Sequence, residues 1–226
     1  PLFVLLIKIM VTIHNSKKTV ANFIITSPPK SSNSELIVCI DPGHGDFDTG
    51  TEGLNKSYEK DIVLNVALKL GDLLKSEKDI KVIFTRTTDS QPWIKTSNDS
   101  LKERIKISKI SKADIFISIH CNSNSADANG RGIETWYKPT CPEGNHLATL
   151  VQEELNGLNY TLDRGIKAYD SGEELAVVEK NSATSVLTEL GFLSNKGDQK
   201  FLSSTDGQTK CAKALYNAIM RYKEEL

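Results

Sequence analysis

Four residues combine a metal-binding or proton-moving side chain with a place where a strand or helix begins or ends: His44, Glu59, His120 and Glu189. Two imidazoles and a carboxylate can hold a divalent cation such as Zn2+. Three protein ligands with a fourth position left open describe a catalytic zinc site, whereas structural zinc closes all four. A further carboxylate beside such an ion can take a proton from water and deliver it to a leaving group. The chemistry exists only if the fold gathers residues scattered from position 44 to position 189.

Each residue also has a plainer reading. His44 lies in "DPGHGDFDTG", a loop rich in glycine and proline, and a histidine there can simply be solvated. The loop neither opens directly into a helix nor carries GK[ST], so it does not read as a phosphate loop. Its aspartates, Asp41, Asp46 and Asp48, can instead orient a ligating imidazole through the second ring N–H. Glu59 opens a helix, where an acid suits the helix dipole. Yet positions 59, 63, 66, 70 and 73 step by four and three, which places Glu59 on the core-facing stripe. A buried carboxylate needs a partner, and a cation would serve. His120 ends "DIFISIH", where Phe116, Ser118 and His120 share one strand face and Ile115, Ile117 and Ile119 the other. Alone, it reads as a satisfied core histidine. Glu189 closes "SVLTE", and a carboxylate ending a buried strand is unfavourable without a partner or a function.

The elements that must position these residues alternate. Strands are expected at 35–40, 80–84, 114–120, 131–137 and 183–190, from their apolar, β-branched runs. Helices are expected at 57–77, 100–112, 144–156 and 209–225. Their inward faces are Val63, Val66, Leu70 and Leu73; Leu101, Ile105 and Ile110; and Leu215, Ile219 and Tyr222. The pattern predicts a single α/β domain with a mostly parallel mixed sheet of about six strands and helices on both faces. In such sheets ligands lie beyond the carboxyl ends of the strands, which is where His44, His120 and Glu189 fall.

Composition narrows the partners. Of 226 residues, 28 are Lys or Arg and 29 are Asp or Glu, a net charge of -1. That excludes the basic footprint of a nucleic-acid binder. Cys39, Cys121, Cys141 and Cys211 form no CxxC pair and read as unpaired thiols; Cys121, beside His120, is a candidate stray metal ligand. Residues 1–24 begin with "PLFVLLIKIMVTI", too short to span a bilayer, which takes roughly 20 residues. They read as a signal or anchor remnant, or alternatively as a packed strand or helix. A Ser/Pro-rich linker at 25–35 then leads to a catalytic domain at 36–226. The leader implies an exported, extracytoplasmic protein that meets membrane only through that segment.

Six segments, "IVCIDPGHGDFDTGTEG", "EKDIVLNVALKL", "TRTTD", "LKERIKISKISKADIFISIHCNS", "RGIETWY" and "VLTELGFLSN", occur in an order and spacing that resemble the zinc-dependent N-acetylmuramoyl-L-alanine amidases of the amidase 3 type. The resemblance covers about residues 36 to 224. It implies that His44, Glu59 and His120 bind one catalytic Zn2+ and that Glu189 is the catalytic acid–base. It also implies a peptidoglycan substrate, cut between N-acetylmuramic acid and L-alanine. Asn122 and Arg86 are candidates for substrate or oxyanion contacts, with structural hydrogen bonding as the competing role for both. A short leader and no wall-binding repeats look like the germination-specific enzymes of spore cortex, and that likeness leaves room for a regulatory protein partner. Asp46 replaces a frequent glycine and Cys121 a usual alanine, so extra charge or a competing thiolate near the metal is expected. The rival readings are a catalytically inactive zinc- or glycan-binding relative with a regulatory role, and a zinc peptidase or deacetylase.

Overall fold

The computed structural model describes residues 35–91, 94–127, 129–169 and 175–226. The leader, and the linker up to residue 34, lie outside the described residues. In chain order the elements are β1 (Leu36–Pro42), α1 (Glu59–Leu74), β2 (Ile80–Phe84), α2 (Ser97–Ser111), β3 (Ile115–Asn122) and β4 (Ile133–Tyr137). There follow α3 (Pro142–Asn156), β5 (Asp163–Ala168), α4 (Ala176–Glu179), β6 (Thr184–Phe192), α5 (Lys196–Leu202) and α6 (Thr205–Glu224). One sheet runs β2-β1-β3-β6-β4-β5. Every neighbouring pair is parallel except β4 against β6. The expected α/β class and mixed, mostly parallel sheet are found. Among the described residues no helix is long and apolar enough to cross a membrane.

Alternation along the strands builds two cores. Val38, Ile40, Ile115, Ile117 and Ile119 face α1, α3 and α6, whose Val63, Val66, Leu70, Leu147, Val151, Leu215 and Ile219 complete the larger core. Cys39, Phe116 and Leu187 face the other way, toward Val177 and Val178 of α4 and the partly buried Leu101 and Ile105 of α2. Each fully buried aliphatic side chain contributes about 1.5–3 kcal/mol. Those cores therefore fix the heights at which the strand tips end.

Local chemistry sets the helix ends. The first-turn amides of α1 are taken up by the preceding loop, Glu59 N–H by Thr51 O and Lys60 N–H by Thr49 O. The helix consequently starts two residues later than the apolar spacing suggested. α2 starts earlier than expected because Thr96 Oγ1 accepts from Asp99 N–H, a side-chain cap. α3 begins at Pro142, whose missing N–H is harmless in the first turn. Ile110, expected inward, is 71% exposed. The buried positions of α2 are Arg104 and Ser108, and a residue two beyond Ser108 lies about 200° around the helix.

Arg104 explains why α2 carries a polar stripe. Its guanidinium is buried at the tip of β1, 2.6 Å from Asp41 Oδ1, and also donates to Pro42 O at 2.8 Å and to His44 O. Asp41 is fully buried and accepts from Thr85 Oγ1 and Ser118 Oγ. Burial alone would raise the Asp41 carboxyl, but Arg104 and the two hydroxyls bring it below the usual carboxylate range. A carboxyl depressed in the folded state contributes stability that is complete above the unfolded value of about 3.9 and is lost as pH falls through the folded value. Asp41→Asn, which leaves Arg104 buried and uncompensated, is expected to lower stability by about 3 kcal/mol at neutral pH. The deficit should shrink in acid below about pH 4. Urea unfolding of both proteins across that range checks this, and a deficit that does not change with pH contradicts it.

Candidate metal centre and active site

The tip of β1 runs into the 43–48 loop, and two arginines hold its backbone. Arg104 takes the carbonyls of Pro42 and His44. Arg86 Nε donates to Pro42 O at 3.1 Å, and its Nη2 donates to Gly43 O at 2.7 Å and to Lys60 O at 2.8 Å. Gripped in this way, His44 sits at φ 59°. That left-handed conformation costs a residue with a Cβ about 1–2 kcal/mol, and the two guanidiniums hold it there. Gly43 makes the site compact: a Cβ there would fall 2.2 Å from His120 Cε1. Only glycine lets β1 pass so close to that ring.

Three donor atoms then converge. His44 Nε2 lies 3.0 Å from Glu59 Oε1. His120 Nδ1 lies 3.0 Å from the same oxygen and 3.1 Å from His44 Nε2. Glu59 reaches the strand tips from α1, on the opposite face of the sheet to the His120 ring. It is held there by Cys121 N–H on Oε1 and Thr51 N–H on Oε2, both at 2.9 Å. Asp48 Oδ1 lies 2.9 Å from His44 Nδ1, off the N–H axis, close enough to set which ring nitrogen faces the cluster. Ligands 2.0–2.2 Å from a tetrahedral zinc stand about 3.4 Å apart. The triangle therefore needs to open by only a few tenths of an ångström, and its donor set fits the ion. Among the described residues, His44, Glu59 and His120 are the group of His, Cys, Asp or Glu side chains able to hold a metal.

Glu59 and His44 shift each other's proton affinities. Burial pushes the Glu59 carboxyl up, but its hydrogen bonds and charge interactions with His120 and His44 hold it far below the usual carboxylate range. Burial pushes the His44 imidazole down, yet Glu59 and Asp48 raise it above its ordinary value.

Glu189 stands beside His120, its register partner on β6. Its carboxyl is raised well above the usual range, by burial first and then by the charges of Glu59 and Glu134. Its Oε2 is buried and has no hydrogen-bond partner among the described residues. His44, Asp48, His120 and Glu189 open onto one cleft of about 250 Å³, whose other wall includes Leu101, Leu175, Val177 and Leu187. The arrangement is a donor triangle, an unsatisfied acid beside it and a cleft with one apolar wall.

The remaining sequence candidates separate. Arg86 is 5% exposed and its guanidinium is engaged by backbone carbonyls, which hold the loop that carries His44. Asn122 donates to Glu134 Oε1 at 3.1 Å and accepts from Ser123 N–H, again a structural role. Cys121 points into the larger core, because alternation turns it away from the His120 face. Burial there, with Glu59 and Glu189 adding to it, pushes its thiol well up, so no competing thiolate faces the donors. Asp46 is turned to Gln91 N–H at 2.7 Å and stays out of the donor triangle. Two participants were missed, Arg104 and Glu134. A charged residue three before and four before the apolar and small positions 107 and 108 was a readable sign for Arg104. Nothing in the alternation of "RGIETWY" marks Glu134 as buried.

The comparisons run through the same residues. Positions 38–221 match the N-acetylmuramoyl-L-alanine amidase family. An uncharacterized cell wall amidase of Bacillus anthracis is 35% identical over 207 residues, 87% of this chain and 38% of that protein, so the chain spans well under half of that relative. The germination-specific N-acetylmuramoyl-L-alanine amidase of Bacillus subtilis (strain 168) is 32% identical over 199 residues, 85% of this chain and 81% of that one. The CwlD amidase from Clostridioides difficile, solved in complex with the GerS lipoprotein, is 33% identical with a TM-score of 0.75, covering 85% of this chain and 100% of that chain. A match that begins at β1, ends within α6 and encloses all four site residues settles the family: the chain belongs to the N-acetylmuramoyl-L-alanine amidases.

Proposed function

We propose that the protein is a zinc-dependent hydrolase of peptidoglycan that cuts the amide joining the lactyl group of N-acetylmuramic acid to L-alanine. The observation that carries this reading is the convergence of His44 Nε2, Glu59 Oε1 and His120 Nδ1 within 3.0–3.1 Å of one another, beside the unpartnered oxygen of Glu189. Zinc, when bound there, supplies a Lewis acid for the amide carbonyl and brings the acidity of water toward neutral pH. Glu189 takes the proton of the attacking water and returns it to the alanine nitrogen as the C–N bond breaks. Its low-polarity setting suits both halves of that task, since burial keeps its proton affinity high. The apolar wall of the cleft limits competing water. An inactive zinc- or glycan-binding relative would not need a buried, unpartnered acid beside the donors, and Glu189 favours catalysis.

The biological setting is part of the proposal, and the relatives support it. Likeness to the germination-specific enzyme of Bacillus subtilis and to CwlD supports action outside the cytoplasm, on spore-cortex peptidoglycan. The GerS complex of the CwlD neighbour supports a regulatory protein partner. An N-terminal export or anchoring segment at 1–24 belongs to the same proposal.

Two outcomes are expected. Glu189→Gln should retain zinc in about the wild-type amount while release of alanine-led stem peptides from purified peptidoglycan falls by at least about a hundredfold; Glu59→Gln should lose the metal as well. Metal analysis beside mass spectrometry of the digest separates the two, and undiminished release by Glu189→Gln removes that residue from the chemistry. The second outcome concerns pH. Protons compete for the ligating imidazoles, and His44 holds its proton to a higher pH than usual. Apparent zinc affinity should therefore fall about tenfold per pH unit for each imidazole proton displaced, once pH drops below that raised value. Competition calorimetry between pH 5.5 and 7.5 measures it, and a flat profile contradicts it.

A further inference from the structure

We propose that Arg164 and Lys167 form a carboxylate-reading subsite that selects an acidic second residue in the peptide released by cleavage. The inference deepens the amidase reading and rests on it.

The geometry is a row across the sheet. His120 on β3 is the register partner of Glu189 on β6, and Glu189 is the register partner of Glu134 on β4. Register partners point to the same face, so the row leads from the donor triangle, past the acid, to Glu134. That carboxylate is buried, at 3% exposure. Its Oε2 receives both Arg164 Nε and Lys167 Nζ from β5, each at 2.6 Å. Its Oε1 receives Asn122 Nδ2 at 3.1 Å and Trp136 Nε1 at 3.2 Å. Burial alone would raise this carboxyl, and the two cations bring it below its ordinary value. Glu134 is thus a fixed anchor with four donors on two oxygens.

The cations are less saturated than their anchor. Among the hydrogen bonds of the described residues, Arg164 gives only Nε and Lys167 gives only its one bond to Glu134. Both Nη groups of Arg164 and further N–H positions on Lys167 stay available for an anion. Their side chains are 34% and 30% exposed, wet enough to be reached and dry enough to discriminate. Each is also braced on an aromatic ring, Arg164 Cζ 5.0 Å from the centre of Phe192 and Lys167 Nζ 5.0 Å from the centre of Trp136. Neutralising Glu134 requires one positive charge, and the chain supplies two, both preorganised.

The direction of the substrate brings its acid here. Glu189 must protonate the leaving nitrogen, so the departing peptide lies on the β6 side of the donors. Strands are about 4.8 Å apart, which puts the cations, leaning back over β4, about one to two strand spacings beyond Glu189. An extended peptide advances about 3.3–3.6 Å per residue. A carboxylate on the residue after alanine therefore falls about 7 Å past the scissile nitrogen, over Glu134 and within reach of Arg164. A neutral amide at the same place would offer one acceptor oxygen and leave a charged donor unmatched.

Binding to the zinc-loaded Glu189→Gln protein tests this apart from turnover. The probes are N-acetylmuramoyl-L-alanyl-D-glutamate with a free α-carboxylate and the same compound with that group as its amide. The free acid should bind about five- to tenfold more tightly. Arg164→Gln and Lys167→Gln, each in that background, should bring the ratio toward one chiefly by weakening the acid, and Lys167→Arg should restore most of it. Equal binding of the two probes overturns the subsite. So does an equal loss for both probes in the Gln variants, which would mean the cations serve only to hold Glu134. Hydrolysis by the wild-type holoenzyme is followed in parallel: turnover of both probes without preference defeats the subsite alone, and turnover of neither defeats the amidase reading and this inference with it.

Discussion

A buried aspartate–arginine pair at the end of β1 is the constraint on which the site depends. Asp41 and Arg104 come from the first strand and the second helix, and neither could be buried without the other. Once paired, Arg104 has donors left over, and they go to the carbonyls of Pro42 and His44. Arg86 takes Pro42 O and Gly43 O from the other side. The loop carries a left-handed histidine, a conformation that persists only where its surroundings over-determine it. Two planar guanidiniums on consecutive carbonyls provide that, and lysines, with their single flexible ammonium, would not.

The same edge shows how one residue type takes three roles. Glu59 and Glu134 are buried and Glu189 is half-buried, all near the strand tips, yet their carboxyls are driven apart by their neighbours. Glu59 is pulled down by two imidazoles and two backbone amides. Glu134 is pulled down by Lys167 and Arg164. Glu189, between them, has burial and two negative neighbours acting on it and is raised. Two lowered carboxyls and one raised one follow from those settings, because environment and not residue type decides which form each carboxyl prefers. Spacing matters as much as identity: Glu189 is the register partner of His120, and Glu134 lies one strand farther from the donor triangle.

Much of this could be read from the residues. Three- and four-residue steps placed Glu59 on the buried stripe of α1, and alternation along β3 put His120 on the face opposite Ile119; the same rule turns Cys121 into the core, against the expectation of a stray ligand there. What was not legible depends on contacts that leave no local period. The two arginines act on backbone carbonyls, and any sequence offers carbonyls. Ile110 was placed inward by its apolar character, when the inward face of α2 is set by Arg104 and Ser108. β5 escaped because "DRGIKA" is a short edge strand, half-exposed, charged, and broken by Gly165 at positive φ; such strands are polar for the reason that their outer edge is unpaired.

That polar edge strand gives the mixed topology its functional meaning. Had β4 run parallel to β6, its carboxyl end would carry Tyr137 to the active edge, and Glu134 would sit a few residues lower in the sheet. Because β4 is antiparallel, its beginning meets the tip of β6 and sets Glu134 opposite Glu189. β5 runs parallel to β4, so Arg164 at its start arrives at the same edge, and Lys167, near its end, reaches back to Glu134. The parallel half of the sheet, β2-β1-β3-β6, supplies the donors and the acid beyond its carboxyl ends, as open α/β sheets do. The reversed half supplies positive charge from Arg164 and Lys167 of β5. One strand reversal therefore extends the donor triangle into a charged row that runs from His120 past Glu189 and Glu134 to β5.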